Sequence, residues 1–463
     1  MSVEGLRASE AKMRGAGVPA TAIAVFRHAY LQLEQGASGV LAEDALEPVA
    51  ELPALADLPD MESEALDALH HTVVLKVNGG LGTTMGLDRP RSLLQVKDGC
   101  SFLDVIVDQV MALRRAYDAR LPLLLMNSFA TRDESIAALR GHPEIGADVP
   151  LDFLQHREPK LRASDLMPVT WEQNPELEWC PPGHGDLYPA LATSGVLEAL
   201  LDRGYSYAFI SNADNLGAAP DLRILGWFAT ERIPFLLEAC ERTEADRKGG
   251  HLARLRADGR LVLRESAQTA PEDEAAFQNV RRHRYFNTNN LWLSLPHLAG
   301  LLRDRDNVLG LPLIRNRKRV DPSDRGSPEV FQLESAMGAA ISVFEGSRAI
   351  LVGRDRFVPV KTTNDLLAVR SDAYELDEMA RLLVSPSRCR AELFVDLDPP
   401  HYGMLPDLDA RFPDGPPSLV DCERFVVKGD VRFEAGVVAH GEVEIAHPGP
   451  GQLVVKAGTT LGR

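Results

Sequence analysis

The stretch VNGGLGTTMGLDRPRSLL, Val77 to Leu94, places four glycines within eight residues (Gly79, Gly80, Gly82 and Gly86), directly behind the apolar run TVVLKV (72–77). A glycine loop leaving a buried strand removes side-chain bulk and lets successive backbone N–H groups approach a polyanion such as a triphosphate. This loop lacks the GK[ST] ending of a P-loop and is out of register with the G-x-G-x-x-G dinucleotide pattern. No acidic residue follows a second strand at the distance a ribose-binding carboxylate requires. With Asn78 and two threonines in it, the loop reads as a phosphate cradle. Arg89 and Arg91, on either side of Pro90, bring two guanidiniums to its far end, where they can neutralise polyphosphate charge; taken singly, each would be an ordinary solvated arginine.

Outward from this loop the chain alternates short β runs and helical stretches. TVVLKV (72–77), LPLLLMN (121–127), YSYAFIS (205–211) and IPFLLEA (233–239) read as strands. SFLDVIVDQVMALRRAY (101–117), TRDESIAALR (131–140) and LATSGVLEALLDRG (191–204) read as helices, the second opened by a capping box of Thr131 and Glu134. The alternation predicts an α/β fold with a largely parallel sheet covered on both faces, and ligands outside the carboxyl ends of its strands. FQLESAMGAAISVF (331–344) reads as an amphipathic helix of the core, and ELDEMARLLVS (375–385) as helical. Residues 1 to about 46 predict helices, with Ile23, Phe26, Tyr30 and Leu33 on one apolar stripe. EPVAELPALADLPD (47–60) reads as a linker laid over a surface. From Phe425 onward, short β runs alternate with glycine turns at five-to-seven-residue spacing. That pattern suits a few coils of a parallel β-helix, with an antiparallel sandwich fragment as the alternative.

The 463 residues are enough for two or three domains at about 100–200 residues each. A formal charge of −17 argues against nucleic acid or an anionic membrane as the main partner. No apolar run approaches the roughly 18 residues of a membrane span, and the first residues hold no signal-like apolar core. Five cysteines (Cys100, Cys180, Cys240, Cys389 and Cys422), widely spaced and without CxxC, suit a reducing compartment and offer no zinc site. The expectation is a soluble cytoplasmic protein.

Polar signatures fall where the predicted strands end. Gln155 closes the short strand of DFLQHREPK and can pair with a base edge. In WCPPGHGDLYPA (179–190), Gly183 permits close approach to a flat base or sugar, and His184 is presented on a loop. In ISNADNLGA (210–218), Asn212 and Asp214 sit at a strand end with Asn215 close by, an arrangement also compatible with an Asx turn. One strand-end carboxylate facing a phosphate cradle meets the needs of Mg²⁺, which takes one or two carboxylates plus substrate phosphates. RTEADRKGG (242–250) supplies Gly249. RYFNTNNLW (284–292) concentrates amides at Asn287, Asn289 and Asn290, suited to sugar hydroxyls or to a turn after a strand. Lys361 follows a predicted strand, RFVPV, as a phosphate ligand.

Taken together, KVNGGLGTTMG, LLLMNSF, PPGHGD, SNADNLGA, KGG, FNTNN, QLESAMGAAI and PVKTTNDLL closely resemble, in order, the eukaryotic-type UTP–glucose-1-phosphate uridylyltransferase family. The resemblance implies a Rossmann-like nucleotidyltransferase domain with a mixed, mostly parallel sheet over 66–375. It implies an N-terminal helical extension and linker over 1–65, and a C-terminal left-handed parallel β-helix over 376–463. By the same resemblance, Val77, Asn78, Gly79, Gly80, Leu81 and Gly82 cradle UTP, Gln155 and Gly183 read uracil, and Met126 packs at the base. His184, Asn212, Gly249, Asn287 and Asn289 hold the sugar phosphate. Asp214 binds Mg²⁺, and Lys361 contacts the reacting phosphates. The implied reaction is direct in-line transfer of UMP from UTP to glucose 1-phosphate, giving UDP-glucose and pyrophosphate, with homo-oligomerisation possible through the C-terminal domain. The family has Leu where Val77 stands, and a lysine on the triphosphate side where Arg91 stands. Arg is planar, bulkier and permanently charged, so a compact ammonium is not simply replaced. Other readings stay open: a uridylyltransferase for galactose 1-phosphate or an N-acetylhexosamine phosphate, or, because of Arg91, a non-catalytic nucleotide-sugar-binding protein. A nicotinamide oxidoreductase is disfavoured by the glycine register.

Overall fold

The computed structural model describes residues 2–36, 39–388 and 393–462; Cys389 lies outside them. A ten-stranded sheet organises the chain. Its strands are β1 (Leu46–Pro48), β2 (Thr72–Asn78), β3 (Leu123–Asn127), β4 (Asp152–Leu154) and β5 (Tyr207–Asn212). They continue with β6 (Phe235–Glu241), β7 (His251–Leu255), β8 (Leu261–Arg264), β9 (Tyr285–Ser294) and β10 (Arg348–Leu351). The spatial order is β1-β7-β9-β5-β2-β3-β4, with β6 joining β9 to β10 and β8 alongside β7. The sheet is mixed. β5, β2, β3 and β4 run parallel, as do β6 and β10, while pairs around β9 and β7 are antiparallel.

Helices cover both faces of the parallel part, so its strands bury side chains in both directions. Thr72 to Lys76 and all of β3 are buried, as expected for a two-sided sheet. The helix Phe102–Tyr117 starts at Ser101, whose hydroxyl accepts from the Asp104 amide in a capping box, and packs Val105, Ile106 and Val110 into the core. The next helix, Arg132–Leu139, lacks the expected cap: the Thr131 hydroxyl accepts from the Ser128 amide at 2.9 Å instead. The stretch 191–204 is two helices, Leu187–Thr193 and Val196–Asp202, parted where Gly195 adopts φ +76°.

Two further expectations are corrected. Residues 331–344 are no core helix: a strand, Glu329–Glu334, runs into a 3₁₀ turn, Met337–Ser342. The extended half pairs with Ile314–Arg319, and that tertiary partner outweighs the helical periodicity. Residues 375–385 form a hairpin of Tyr374–Leu376 and Leu382–Val384. The Asp377 carboxylate accepts from the Met379 and Arg381 amides, and Ala380 sits at φ +54°, so a local turn replaces the helix.

The N-terminal helices Ser2–Gly15 and Ala20–Glu34 form, and Ile23, Phe26, Tyr30 and Leu33 are buried. The helical region ends earlier than expected, because β1 pairs with β7 at the sheet edge. The Pro-rich segment behind it is a strap, with Val49, Leu52 and Leu58 buried and the Leu351 amide bonded to the Pro53 carbonyl.

At the other end, Phe394–Leu397, Cys422–Gly429, Val438–His447 and Thr460–Gly462 stack in parallel, as do Val431–Phe433 and Leu453–Val455. Every described pairing in that segment is parallel, which removes the antiparallel sandwich. Phe412 and Phe433 stack at 4.8 Å within it. Among the described residues no helix is long and apolar enough to cross a membrane, and Cys100, Cys180, Cys240 and Cys422 are free thiols.

Candidate active site

Register places the site. Val77 on β2 pairs with Asn212 on β5 and Met126 on β3, and Asn78 pairs with Asn127, so the carboxyl ends of three parallel strands finish level. Asn78 turns its side chain inward, donating to Asn127 Oδ1 at 2.7 Å and Ser135 Oγ at 2.9 Å. It anchors the loop and leaves the outward face to backbone. The loop then doubles back. Gly82 N–H donates to the Arg89 carbonyl, Leu81 bridges Pro90, and Arg91 N–H donates to the Gly80 carbonyl at 3.2 Å. Met126 is fully buried among Val73, Leu75 and Leu124, so it supports the sheet from inside and its side chain offers a base no surface. This corrects its assignment as a base contact.

Gln155 and Gly183 meet the cradle. Gln155 Nε2 donates to the Gly183 carbonyl at 2.8 Å, and its Oε1 lies where a Cβ on Gly79 would approach to 2.8 Å. Gly183 holds φ +79°, and a side chain there would strike the Ser335 carbonyl at 2.5 Å, so glycine is required twice over. Ser335 fixes the loop by accepting from Gly185 N–H and donating its own N–H to the Pro182 carbonyl. The QLESAMG segment, read from sequence as core packing, is thus the back wall of the site.

Asp214 stands on the turn after β5, on the cradle side of the sheet. Arg91 Nη1 donates to its Oδ2 at 2.7 Å. Asp214 Oδ1 and Arg91 Nε are buried with no hydrogen-bond partner. Arg89 is exposed, with its guanidinium 3.6 Å from Glu134. Lys361 does not follow a strand: Arg354–Arg356 is a 3₁₀ turn, and only Pro359 bridges to Asn215. The Lys361 carbonyl accepts from Thr84 Oγ1 at 3.2 Å, which ties this segment to the cradle, and its amide joins the Thr362–Asp365 cap.

The asparagine cluster lies within β9, not after it. Pairing with β6 slips between Glu238 and Ala239, leaving Thr288 and Asn289 bulged, with Asn289 at φ +59°. Asparagine tolerates that conformation better than most residues. Asn287 Nδ2 donates to Asn289 Oδ1 at 3.0 Å, Asn289 N–H to Asn287 Oδ1 at 2.9 Å, and Asn287 N–H to the Gly250 carbonyl at 3.1 Å. Gly249 lies against the Phe286 ring with no room for a side chain.

His184 accepts from Met337 N–H at its Nδ1, 2.9 Å away, which leaves Nε2 to carry the proton. Burial, reinforced by the Lys361 charge, pushes its pKa down to about 4, so the ring is a neutral donor. Glu265, which no sequence motif picked out, packs its carboxylate against Gly250; burial raises its pKa and Lys361 opposes the rise.

Beneath the site lies a polar network that was equally hidden. Glu238, fully buried, accepts from Arg356 Nε (2.8 Å) and Nη2 (2.7 Å), Asn290 Nδ2 (3.1 Å) and Trp292 Nε1 (2.9 Å). Lys76 donates to Ser211 Oγ and the Ala218 carbonyl, both at 2.7 Å. The sequence signal was faint: single charged residues inside otherwise apolar strands.

A family model described as UTP–glucose-1-phosphate uridylyltransferase matches residues 24–440. The chain belongs to this family. The potato UTP–glucose-1-phosphate uridylyltransferase is 37% identical over 421 residues, 90% of this chain and 85% of the relative. The Saccharomyces cerevisiae enzyme of that name is 38% identical over 390 residues, 84% and 76% of the two chains. Among solved structures, a mutant UDP-glucose pyrophosphorylase from Leishmania major, in complex with UDP-glucose, superimposes with a TM-score of 0.93 at 43% identity. The match covers 99% of this chain and 98% of that one. A Trypanosoma brucei structure described as UDP-glucose phosphorylase gives a TM-score of 0.91 at 44% identity, with coverage of 99% and 98%. Family membership therefore extends from the second N-terminal helix into the stacked C-terminal strands.

Proposed function

We propose that this chain transfers UMP from UTP to glucose 1-phosphate, with Mg²⁺, releasing pyrophosphate and forming UDP-glucose. One observation carries the reading: Arg91 links the Gly80 carbonyl of a bare backbone cradle to the Asp214 carboxylate at the ends of adjacent parallel strands. The uridylyltransferase activity named for the relatives supports it.

The attacking phosphate oxygen of glucose 1-phosphate is already an anion, so no side chain need remove a proton or act as nucleophile. Its oxygen forms a bond to the α-phosphorus of UTP as the bond to pyrophosphate breaks on the opposite side. Positioning and charge stabilisation must supply the rate. The Gly79–Gly82 backbone orients the triphosphate, while Gln155 and Gly183 frame the base. Arg91 and Lys361 offset charge as the α-phosphorus becomes crowded. Neutral His184 donates from Nε2. Asn212, Asn287 and Asn289 hold the sugar phosphate, with Gly249 giving the Phe286 ring its place behind them, and Glu265 adds an acceptor for sugar hydroxyls.

The residues present suit a hard divalent ion. Asp214 Oδ1 is a buried carboxylate oxygen without a partner, and no group of three ligating side chains occurs among the described residues. The unpartnered Asp214 oxygen fits an ion completed by substrate phosphates. Asp214 is the residue that would hold Mg²⁺, which when bound supplies charge neutralisation at the α-phosphate.

Three units organise the chain in this reading: 1–65, 66–375 and 376–463, the last opening within the Tyr374–Val384 hairpin and carrying a left-handed β-helix that the parallel stacking from Phe394 onward supports. Self-association through the last unit belongs to the same reading. The free thiols favour a reducing, cytoplasmic setting.

The test is pyrophosphate release from UTP with glucose 1-phosphate, galactose 1-phosphate and N-acetylglucosamine 1-phosphate, with Mg²⁺ or EDTA, for wild type and Arg91→Lys. Turnover with glucose 1-phosphate and Mg²⁺ is expected, and Arg91→Lys, which restores the lysine that the resemblance implies at this position, should retain it. A wild type that binds UDP-glucose but releases no pyrophosphate defeats the reading in favour of a binding protein.

A further inference from the structure

The side chain of Asn215 touches no position assigned to a substrate, yet it joins three segments that carry such positions. It is 2% exposed. Its Nδ2 donates to the Arg356 carbonyl and to Asn290 Oδ1, each at 3.1 Å. Its Oδ1 accepts from Val358 N–H at 2.8 Å and Gly217 N–H at 3.3 Å. The neighbouring Asp214 carbonyl accepts from Val360 N–H at 3.0 Å. One amide therefore stitches the Asp214 turn to the Arg356–Val360 segment that ends at Lys361, and to the β9 bulge of Asn287 and Asn289.

The anchors behind it are rigid. Arg356 is held in a two-pronged ion pair with buried Glu238, and its Nη2 also donates to the Ala219 carbonyl at 2.9 Å. Asn290 Nδ2 donates to both Glu238 Oε2 and the Arg356 carbonyl. Fully satisfied buried polar networks of this kind specify one arrangement, because any alternative leaves desolvated groups unpaired. By contrast, the cradle contacts of Gly79, Gln155 and Gly183 involve none of these atoms.

We infer that Asn215 is a positioning residue, which fixes the spacing between the Asp214 carboxylate, the Lys361 ammonium and the sugar-side asparagines. The inference rests on the uridylyltransferase reading. Asn215→Ala removes the side-chain bonds between the Asp214 turn and the Lys361 segment, leaving the backbone bridge at Pro359 with the Val360 amide, and the Arg356 bond to the Ala219 carbonyl. A misplacement of about 1 Å at reacting groups costs on the order of 100-fold in rate.

The experiment compares wild type, Asn215→Ala, and Leu298→Ala, a core truncation on the helix Leu295–Asp304, whose apolar side chain takes no part in these hydrogen bonds. All are assayed at 25 °C after circular dichroism shows them folded. Two quantities are read: kcat for pyrophosphate release, and the UTP dissociation constant by calorimetry in EDTA. Asn215→Ala should lower kcat on the order of 100-fold with UTP affinity within about twofold, while Leu298→Ala keeps kcat within about twofold. Should Asn215→Ala fail to fold, Asn215→Asp replaces it. That variant keeps the Oδ1 acceptor but sets a carboxylate oxygen against the Arg356 carbonyl, and the same kcat loss is expected. A kcat within about fivefold of wild type in a folded Asn215 variant, an equal loss in Leu298→Ala, or a matching loss of UTP affinity overturns the positioning role. A wild type without turnover refutes the uridylyltransferase reading instead, so the two failures are separable.

Discussion

Lys76 offers the sharpest test of the buried network. It is 1% exposed, on the central strand β2, and its ammonium position is fixed by Ser211 and the Ala218 carbonyl. Burial first, then the charge of Arg356, lowers its pKa from 10.5 to about 7, against an opposing pull from Glu238. The sign follows from proton counting. Between pH 7 and 10.5 the unfolded chain carries a proton on this lysine that the folded chain mostly lacks, so stability rises with pH across that window. It is lost as pH falls from 10.5 towards 7. Each pH unit is worth about 1.4 kcal/mol, and half-protonation of the folded form at pH 7 trims the gain to about 2 kcal/mol between pH 7 and 9. Lys76→Met keeps the apolar stem and removes the titration. Urea unfolding of both proteins at pH 7, 8 and 9 should show wild type gaining about 2 kcal/mol relative to the variant over that range. Parallel pH dependences in the two proteins would refute the argument, because they would mean Lys76 stays charged in its buried site.

Other consequences follow from the same geometry. Arg356→Leu strands the Glu238 carboxylate in the core and should cost about 3–5 kcal/mol in denaturant unfolding, most of it recovered in the Arg356→Leu/Glu238→Leu double variant. Asp214→Ala should lower UDP-glucose formation by on the order of 100-fold, roughly the loss from removing one preorganised stabilising group; survival within a few-fold means the carboxylate is misassigned. His184 has its folded pKa depressed to about 4, so stability is lost as pH falls from about 6.5 towards 4. His184→Gln should flatten that acid limb by up to about 3 kcal/mol in acid unfolding curves. An unchanged limb would show that the ring protonates freely in the fold.

Some of this site was readable because its determinants are local. An apolar run followed by glycines, or by Asn and Asp, marks a strand end and what it presents, and that information resides within about ten residues. The placement of Val77 to Gly82, Asn212 and Asp214 at and just beyond strand ends was legible for this reason. Where two local signals compete, the sequence misleads. The 331–344 stretch has helical periodicity, but its first half pairs as a strand and its middle braces the Gly183 loop. FNTNN reads as amides suited to sugar hydroxyls or as a turn after a strand, and only the register slip against β6 makes it a bulge inside one. Lys361 lies in the expected neighbourhood, but a 3₁₀ turn and a single bridge replace its strand.

By itself, then, the order of apolar runs, glycines and strand-end polar residues determined the alternating α/β plan and the end of the sheet at which the glycine loop and the strand-end polar residues gather. Tertiary structure alone decided the partners: Arg91 on Asp214, Gln155 on Gly183, Asn78 and Met126 turned inward, and Lys76, Glu238 and Arg356 joined beneath the floor. The physical reason is range. Backbone conformation is set by neighbours along the chain, whereas the pairing of a buried charge depends on strand registers that bring residues more than a hundred positions apart within 3 Å.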